Sequence, residues 1–196
     1  MNHFNQVAND WDTPEKTQMM KELAKKTQKR LKLSQKIDIM DFGTGTGLFG
    51  LEFHPYLHTL TGIDTSQEML NVFNKKTEAF SHIQSHQINL EDQSLASKFD
   101  LIISSMAFHH LQDPKKVLMK LKENLKQNGR IAIVDLDQED GSFHPDNKAM
   151  GVKHFGFSKQ ELQYWAKQAK LNLDYQIINT LHKNETEYHQ FLAIFY

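Results

Sequence analysis

Apolar positions along this chain fall into two alternating rhythms. Short runs such as Ile37-Asp38-Ile39-Met40, Thr59-Leu60-Thr61-Gly62-Ile63 and Phe99-Asp100-Leu101-Ile102-Ile103-Ser104 read as strands. Between and around them, helical spacing recurs in Met20, Leu23, Thr27 and Leu31, then in Met69, Leu70, Val72 and Phe73. It returns in Val117, Leu118, Leu121 and Leu125, and again in Leu162, Trp165 and Ala169. Start signals agree with these helices. Thr13-Pro14 and Asp113-Pro114 put a capping side chain before a proline whose missing N–H is harmless in a first turn. Thr65-Ser66-Gln67-Glu68 and Ser158-Lys159-Gln160-Glu161 read as capping boxes.

These signals predict strands over 36–42, 57–64, 99–104 and 130–136, a weaker one near 83–88, and two late ones near 171–181 and 188–195. A helix from Gly47 is expected to stop at His54-Pro55, and Asn128-Gly129 to end the helix that opens at Asp113-Pro114. Residues 137–157 read as a polar loop. Strands alternating with helices predict an α/β fold, a doubly wound and mostly parallel seven-stranded sheet in one domain over 1–196. The last two strands have no helix between them, so the last strand is expected to run antiparallel. No repeat, low-complexity segment or linker interrupts the pattern.

Composition narrows the class. The 196 residues carry a formal net charge of −1, which argues against a dedicated nucleic-acid surface. With no cysteine, disulfides, zinc thiolates and cysteine nucleophiles are excluded. No apolar run approaches the roughly 18–20 residues of a membrane span. Met1-Asn2-His3-Phe4-Asn5 lacks the basic and apolar regions of a secretory signal, so a soluble cytoplasmic protein is the expectation.

The chemistry concentrates in Asp41-Phe42-Gly43-Thr44-Gly45-Thr46-Gly47, directly after the first strand. Alternate glycines there leave backbone amides open to a ligand. Asp64 ends the next strand, where a carboxylate can hold ribose hydroxyls. Gly45-Thr46-Gly47-Leu48-Phe49-Gly50 also matches the dinucleotide pattern, so an NAD(P)-dependent oxidoreductase is an alternative. Asp41 speaks against it: a carboxylate repels a pyrophosphate but attracts the ammonium of an amino acid. The plainer readings are a tight turn for the glycines and a helix N-terminal charge for Asp64.

With these residues in this order, the chain resembles the class I S-adenosylmethionine-dependent methyltransferases of small-molecule type, over about Phe4 to Tyr196. The resemblance implies S-adenosyl-L-methionine as cofactor, with Asp41, Gly43, Thr44, Gly45 and Gly47 around its methionine part and Asp64 on the ribose. It places Thr65 and Met69 beside ribose and adenine, and the adenine contact in Asn89-Leu90-Glu91, between Asn89 and Glu91. Ser104, Ser105 and Met106 are expected beside the methionine part and the transferable methyl. Phe4-x-x-Val7-Ala8-x-x-Trp11-Asp12 is similar to the family's lid, so 1–33 is expected to form a lid and helix, with Trp11 near the acceptor. A non-catalytic S-adenosylmethionine-binding module is the third reading.

Methyl transfer from a sulfonium needs alignment and exclusion of water, and a base only if the acceptor must lose a proton. Among 11 histidines, His109 is the candidate base, with His110 a substrate contact. The plainer reading is that both rings open a short helix and hydrogen-bond to backbone. His144 and His154 lie in the 137–157 loop, which is expected to contribute to the acceptor pocket. The polar run from Asp135 to His144 ranks first as a solvated or structural loop, second as acceptor contacts and third as a metal site; no metal is assigned. His54 and His58 are separated by Pro55, and His82 and His86 sit along one strand, so neither pair chelates alone. Absence of the Asn/Asp-Pro-Pro-aromatic tetrapeptide of nucleic-acid amino methyltransferases after the fourth strand lowers DNA or RNA as substrate, leaving a small molecule as the expected acceptor.

Overall fold

The computed structural model describes residues 3–183 and 185–196. Met1 and Asn2, the start of the expected lid, lie outside the described residues. Strands β1 (Ile37–Phe42), β2 (Leu57–Asp64), β3 (Ile83–Gln87), β4 (Phe99–Ser105), β5 (Leu125–Leu136), β6 (Leu173–Lys183) and β7 (Thr186–Phe195) form one sheet in the order β3-β2-β1-β4-β5-β7-β6. Every pair among β1 to β5 is parallel, and β7 runs antiparallel to both β5 and β6. The last strand is therefore the reversed one, as the pattern predicts.

Period-two alternation explains why the sheet is covered twice. On β5, Ile131 and Ile133 pack with Val117, Leu118 and Leu121 of α4 (Pro114–Glu123) and with Leu162 and Trp165 of α5 (Lys159–Ala169). Ala132 and Val134 point the other way, into a cluster with Leu23 and Leu31 of α2 (Pro14–Leu31) and Phe73 of α3 (Gln67–Thr77). Strands buried on both faces read as near-continuous apolar runs for this reason. A short helix, α1 (His3–Val7), and a 3₁₀ turn at Ala8–Asp10 precede α2.

Three caps fall where the sequence puts them, and in the Thr65–Glu68 box the cap is Ser66, one residue on from Thr65. Side chains of Thr13, Ser66, Asp113 and Ser158 accept from the N–H groups of Lys16, Met69, Lys116 and Glu161. Two boundaries differ. The segment after the glycine loop is not an α-helix but a 3₁₀ stretch, Gly50–Tyr56, that runs through Pro55. Asn128-Gly129 does not end α4, which stops at Glu123 with Asn124 as C-cap. The Asn124 amide donates to the carbonyls of Leu95 and Ser97, drawing the chain into β5. Asn128, at φ 61°, instead bends β5 internally: the register passes from Phe99↔Leu125 to Leu101↔Arg130. Sequence signals alone cannot separate a helix C-terminus from a strand irregularity, because both use an Asn-Gly with positive φ.

The strand order reverses direction between β1 and β4. Such a switch point opens a crevice at the carboxyl ends of the strands, which is where open α/β sheets bind ligands.

Candidate cofactor and active site

A cavity of about 360 Å³ occupies that crevice. This is within the roughly 300–1,000 Å³ usual for small-molecule sites. Phe42, Asp64 and Ser105, at the ends of β1, β2 and β4, line it, together with the loop after β1 and the N-terminal residues Phe4 and Trp11.

The loop is shaped by its glycines. Gly43, Gly45 and Gly47 all have positive φ, at 68°, 54° and 88°. Gly45 is the informative one, because a Cβ there would meet nothing within 4 Å. No neighbour requires glycine at that position, yet the backbone conformation and the adjoining open space both favour it. The N–H groups of Gly43 and Thr44 bond to the carbonyl of Ile63, fixing the loop against β2.

Of the three carboxylates that line this cavity, Asp64 and Asp41 adjoin the glycine loop. Asp64 Oδ2 accepts from Gly45 N at 2.8 Å and Oδ1 from Ser66 N at 2.8 Å. Each oxygen retains a second lone pair, so the group can still accept two hydroxyls. Burial raises its pKa, and the N–H groups of Ser66, Gly45 and Thr65 oppose that rise. Asp41 is fully buried and accepts from Thr44 Oγ1 at 2.6 Å. Burial lifts its pKa to about 7, against the Thr44 hydroxyl, with Asp64 adding repulsion.

Gly50 abuts Asp41: a Cβ there would lie 2.2 Å from Asp41 Oδ2. Thr44 already holds that short buried side chain by a hydrogen bond to the same oxygen. Gly50→Ala is expected to destabilise the fold by about 1–3 kcal/mol, as overpacking does. At this chain length that is a fall of roughly 2–12 °C in a thermal melt; an unchanged melting temperature would contradict the contact. Gly50 is thus spent on Asp41, and a 3₁₀ segment stands where a dinucleotide site needs an α-helix N-terminus for the pyrophosphate.

Of the other expected cofactor residues, Gly43, Thr44, Gly45, Thr65, Met69, Asn89, Leu90, Glu91 and Ser105 line the cavity, as does Met106. Met106 holds a φ of 54°, which is uncommon for a residue without a short polar side chain. Asn89 and Glu91 both already serve the protein: Asn89 Oδ1 accepts from Glu91 N, and Glu91 Oε1 accepts from the N–H groups of Gln112 and Asp113. Ser104 does not reach the cavity; it is buried, and its hydroxyl donates to the carbonyl of Phe42. Gly47 also stands off the cavity wall, with Leu51 and Phe73 against it. Leu48, Phe49, Ile63, Ile88 and Leu111 complete the apolar wall. Their apolar character alone could not distinguish them from core.

The N-terminal segment is fastened by polar contacts that only the fold reveals. Asp12 accepts from Thr46 Oγ1 and pairs with Lys76 Nζ, both at 2.5 Å, and Lys76 also donates to the carbonyl of Thr46. Ser66 Oγ donates to Asn5 Oδ1 at 2.6 Å. The Lys16 ammonium sits 3.5 Å over the Trp11 ring.

The histidines divide. His110 lines the cavity, edge-on to Phe4, with Nδ1 3.3 Å from the carbonyl of Gly151. His109 lies behind it, only 1 % exposed, with Nδ1 2.6 Å from Asp135 Oδ1. His109 and His110 close a short 3₁₀ helix, Phe108–His110, where the plainer reading of the sequence has them open one, and only His110 bonds to backbone through its ring. His144 stacks near His109 at 5.0 Å between ring centroids and does not line the cavity. His154 bonds through Nε2 to the carbonyl of Leu111, and the N–H groups of Lys153 and His154 donate to the carbonyl of His109. The 137–157 loop thus docks on 109–111 rather than on the cavity itself. Burial and the neighbouring His109 ring lower the pKa of His110 to about 3 and of His144 to about 4, so both rings are neutral near pH 7.

Fold and cavity together define a class: a doubly wound α/β protein with a glycine-lined cleft at its switch point. A family model described as "Methyltransferase domain" matches residues 16–184, and the chain belongs to that family. An uncharacterised methyltransferase of Schizosaccharomyces pombe is 35 % identical over 152 residues, 69 % of this chain and 54 % of the relative. The malonyl-[acyl-carrier protein] O-methyltransferase of Acetivibrio thermocellus is 27 % identical over 177 residues, 88 % of this chain and 56 % of the relative. The chain therefore spans about half the length of these relatives. The crystal structure of an S-adenosylmethionine-dependent methyltransferase from Aquifex aeolicus superposes with a TM-score of 0.70 at 18 % identity, covering 96 % of this chain and 97 % of that one. Among the described residues, no helix is long and apolar enough to cross a membrane.

Proposed function

We propose that this chain transfers a methyl group from S-adenosylmethionine to a small-molecule acceptor. The observation that carries the reading is Asp64, a strand-end carboxylate at the cavity, pinned by Gly45 and Ser66 with lone pairs to spare for two hydroxyls. The empty space over Gly45 and the cavity volume fit the same group.

S-adenosylmethionine, when bound, supplies a methyl already activated on a sulfonium. The chain's own work is then binding, alignment and exclusion of water. Asp64 holds the ribose hydroxyls, Met69 and Leu90 offer apolar walls to the base, and Asp41 offers charge to the amino-acid ammonium. Phe4 and Trp11 close the cavity, and Asp12, Lys76 and Ser66 hold them there. His110, the neutral imidazole on the cavity wall, keeps the acceptor contact that the sequence gives it, while His109, the candidate base of the sequence, is buried off the cavity. His109 acts through position, behind it, and loop 137–157 shapes the acceptor side by holding 109–111 in place.

Asp41 gives a pH signature. With its pKa near 7 in the free protein, it is mostly protonated at pH 6 and mostly ionised at pH 8. A cationic ammonium favours the ionised form, so cofactor affinity rises with pH across that window, by roughly tenfold. Asp41→Asn is expected to bind more weakly and to lose this slope; a wild-type affinity that is flat from pH 6 to 8 would remove the role given to Asp41. Turnover is tested by incubating methyl-labelled S-adenosylmethionine with hydroxyl, amine and thiol acceptors. Label transfer with release of S-adenosylhomocysteine supports the reading. Tight cofactor binding with no transfer across the panel would make the chain a binding module.

A further inference from the structure

Three imidazoles meet behind the cavity wall. His109, His110 and His144 each offer a ring nitrogen, and these lie within 4.8 Å of one another. We propose that they form a metal site for a divalent transition cation of the zinc class, with Asp135 orienting His109 from the outer shell. The sequence ranks metal binding last for the neighbouring polar run, and the fold supplies what it lacked: His109 and His110 from the end of β4 brought against His144 of a distant loop.

The second observation is an orphan. His109 is 1 % exposed, its Nδ1 is taken by Asp135, and its Nε2 has no hydrogen-bond partner among the described residues. A buried ring nitrogen without a partner is desolvated with nothing in return and calls for an explanation. His144 Nδ1 is buried and unpartnered as well. Asp135 has the position that an outer-shell carboxylate takes: it accepts at one ring nitrogen, which fixes the tautomer and leaves the other nitrogen's lone pair for a metal. His110 Nδ1 is likewise engaged, by the carbonyl of Gly151, which directs its Nε2 as the free ligand atom.

Imidazole ligands suit zinc, copper, nickel and iron rather than magnesium or calcium. Three histidines with no fourth protein ligand match an open tetrahedral site, whose last position a water or substrate atom fills. At metal–nitrogen distances of about 2.0–2.1 Å the ligand atoms stand roughly 3.3 Å apart. The three rings therefore draw inward on binding, and His144, carried by the loop, is the one free to move. His110 belongs to both the cavity wall and the cluster, so an ion there adjoins the cavity.

The site stands on the rings and not on the methyl-transfer reading, and its test is a binding measurement. Purified full-length protein, stripped with a chelator, is titrated with Co²⁺ and then Zn²⁺ while visible absorption and heat are recorded. The expected result is one ion per chain, visible Co²⁺ bands of low-symmetry coordination, and their loss when Zn²⁺ displaces Co²⁺. His144→Ala is expected to weaken binding at least tenfold, and Asp135→Asn by about 10–100-fold, as outer-shell changes do. His144→Ala also removes any rise in melting temperature that Zn²⁺ gives the wild type. His144 bonds to no core group, so this variant stays folded if its metal-free melt matches the wild type; His110→Ala serves if it does not. No stoichiometric binding, or binding of equal strength in the variant (as expected if His54 and His82 were the ligands), would overturn the proposal. S-adenosylhomocysteine binding measured on the same samples separates the two claims: cofactor binding without metal binding sinks the metal site alone.

Discussion

Asp64→Ala lowers affinity for S-adenosylhomocysteine by about 10²–10⁴-fold and leaves the fold intact. The magnitude follows from two lost charge-assisted hydrogen bonds at roughly 1.5–3 kcal/mol each. A further part of the loss is local: Asp64 also holds Gly45 N and Ser66 N, so its removal loosens the glycine loop and the start of α3 together. Asp64→Asn keeps one acceptor and the shape, and is expected to lose less. Calorimetric titration of both variants, with thermal melts to establish folding, checks this. An Asp64→Ala protein of wild-type affinity would mean that the carboxylate is only a helix-terminal charge.

The second large effect is on stability. Asp135 is completely buried at the end of β5, and three donors converge on it: the His109 ring, Phe108 N at 2.9 Å and Leu136 N at 2.7 Å. Burial alone would raise its pKa; the adjoining His109 ring and its hydrogen bond, with Leu136 N–H, outweigh that and hold it below the ordinary range. Removing one member of such a buried pair costs about 3–5 kcal/mol, because the remaining groups stay desolvated without partners. Asp135→Ala is therefore expected to melt roughly 6–20 °C lower than wild type. Asp135→Asn retains the shape and an acceptor oxygen, and recovers much of that loss. A melting temperature for Asp135→Ala within 2 °C or so of wild type would show that the pair does not hold the turn after β4.

These two aspartates mark how far the sequence can be read. Asp64 was legible because its signal is local: an acid ends an apolar run that follows a glycine loop, and strand periodicity fixes where it emerges. The caps Thr13, Asp113 and Ser158 were legible for the same reason, each bonding three residues ahead. Asp135 was visible as a polar residue at the end of a strand, but its partner is 26 residues away on a different crossover. The Asp12–Thr46–Lys76 fastening joins the lid, the glycine loop and α3, three segments with no common period. His109 and His110 show the limit most plainly. Adjacent in sequence, with the same side chain, they were ranked for catalysis in the order opposite to their access: a 3₁₀ turn sends His109 inward and His110 to the cavity. Helical or strand periodicity could not assign those directions. The Gly45–Gly50 pattern was ambiguous for a similar reason, since only packing shows that Gly50 makes room for Asp41.

The most direct test of the cofactor assignment is one calorimetric comparison at pH 8: S-adenosylmethionine, S-adenosylhomocysteine and NADH, each titrated into the wild-type protein. The account predicts micromolar or tighter one-to-one binding of the first two and no heat from the third. Binding of NADH with silence from both sulfur compounds would contradict it and return the glycine loop to a pyrophosphate.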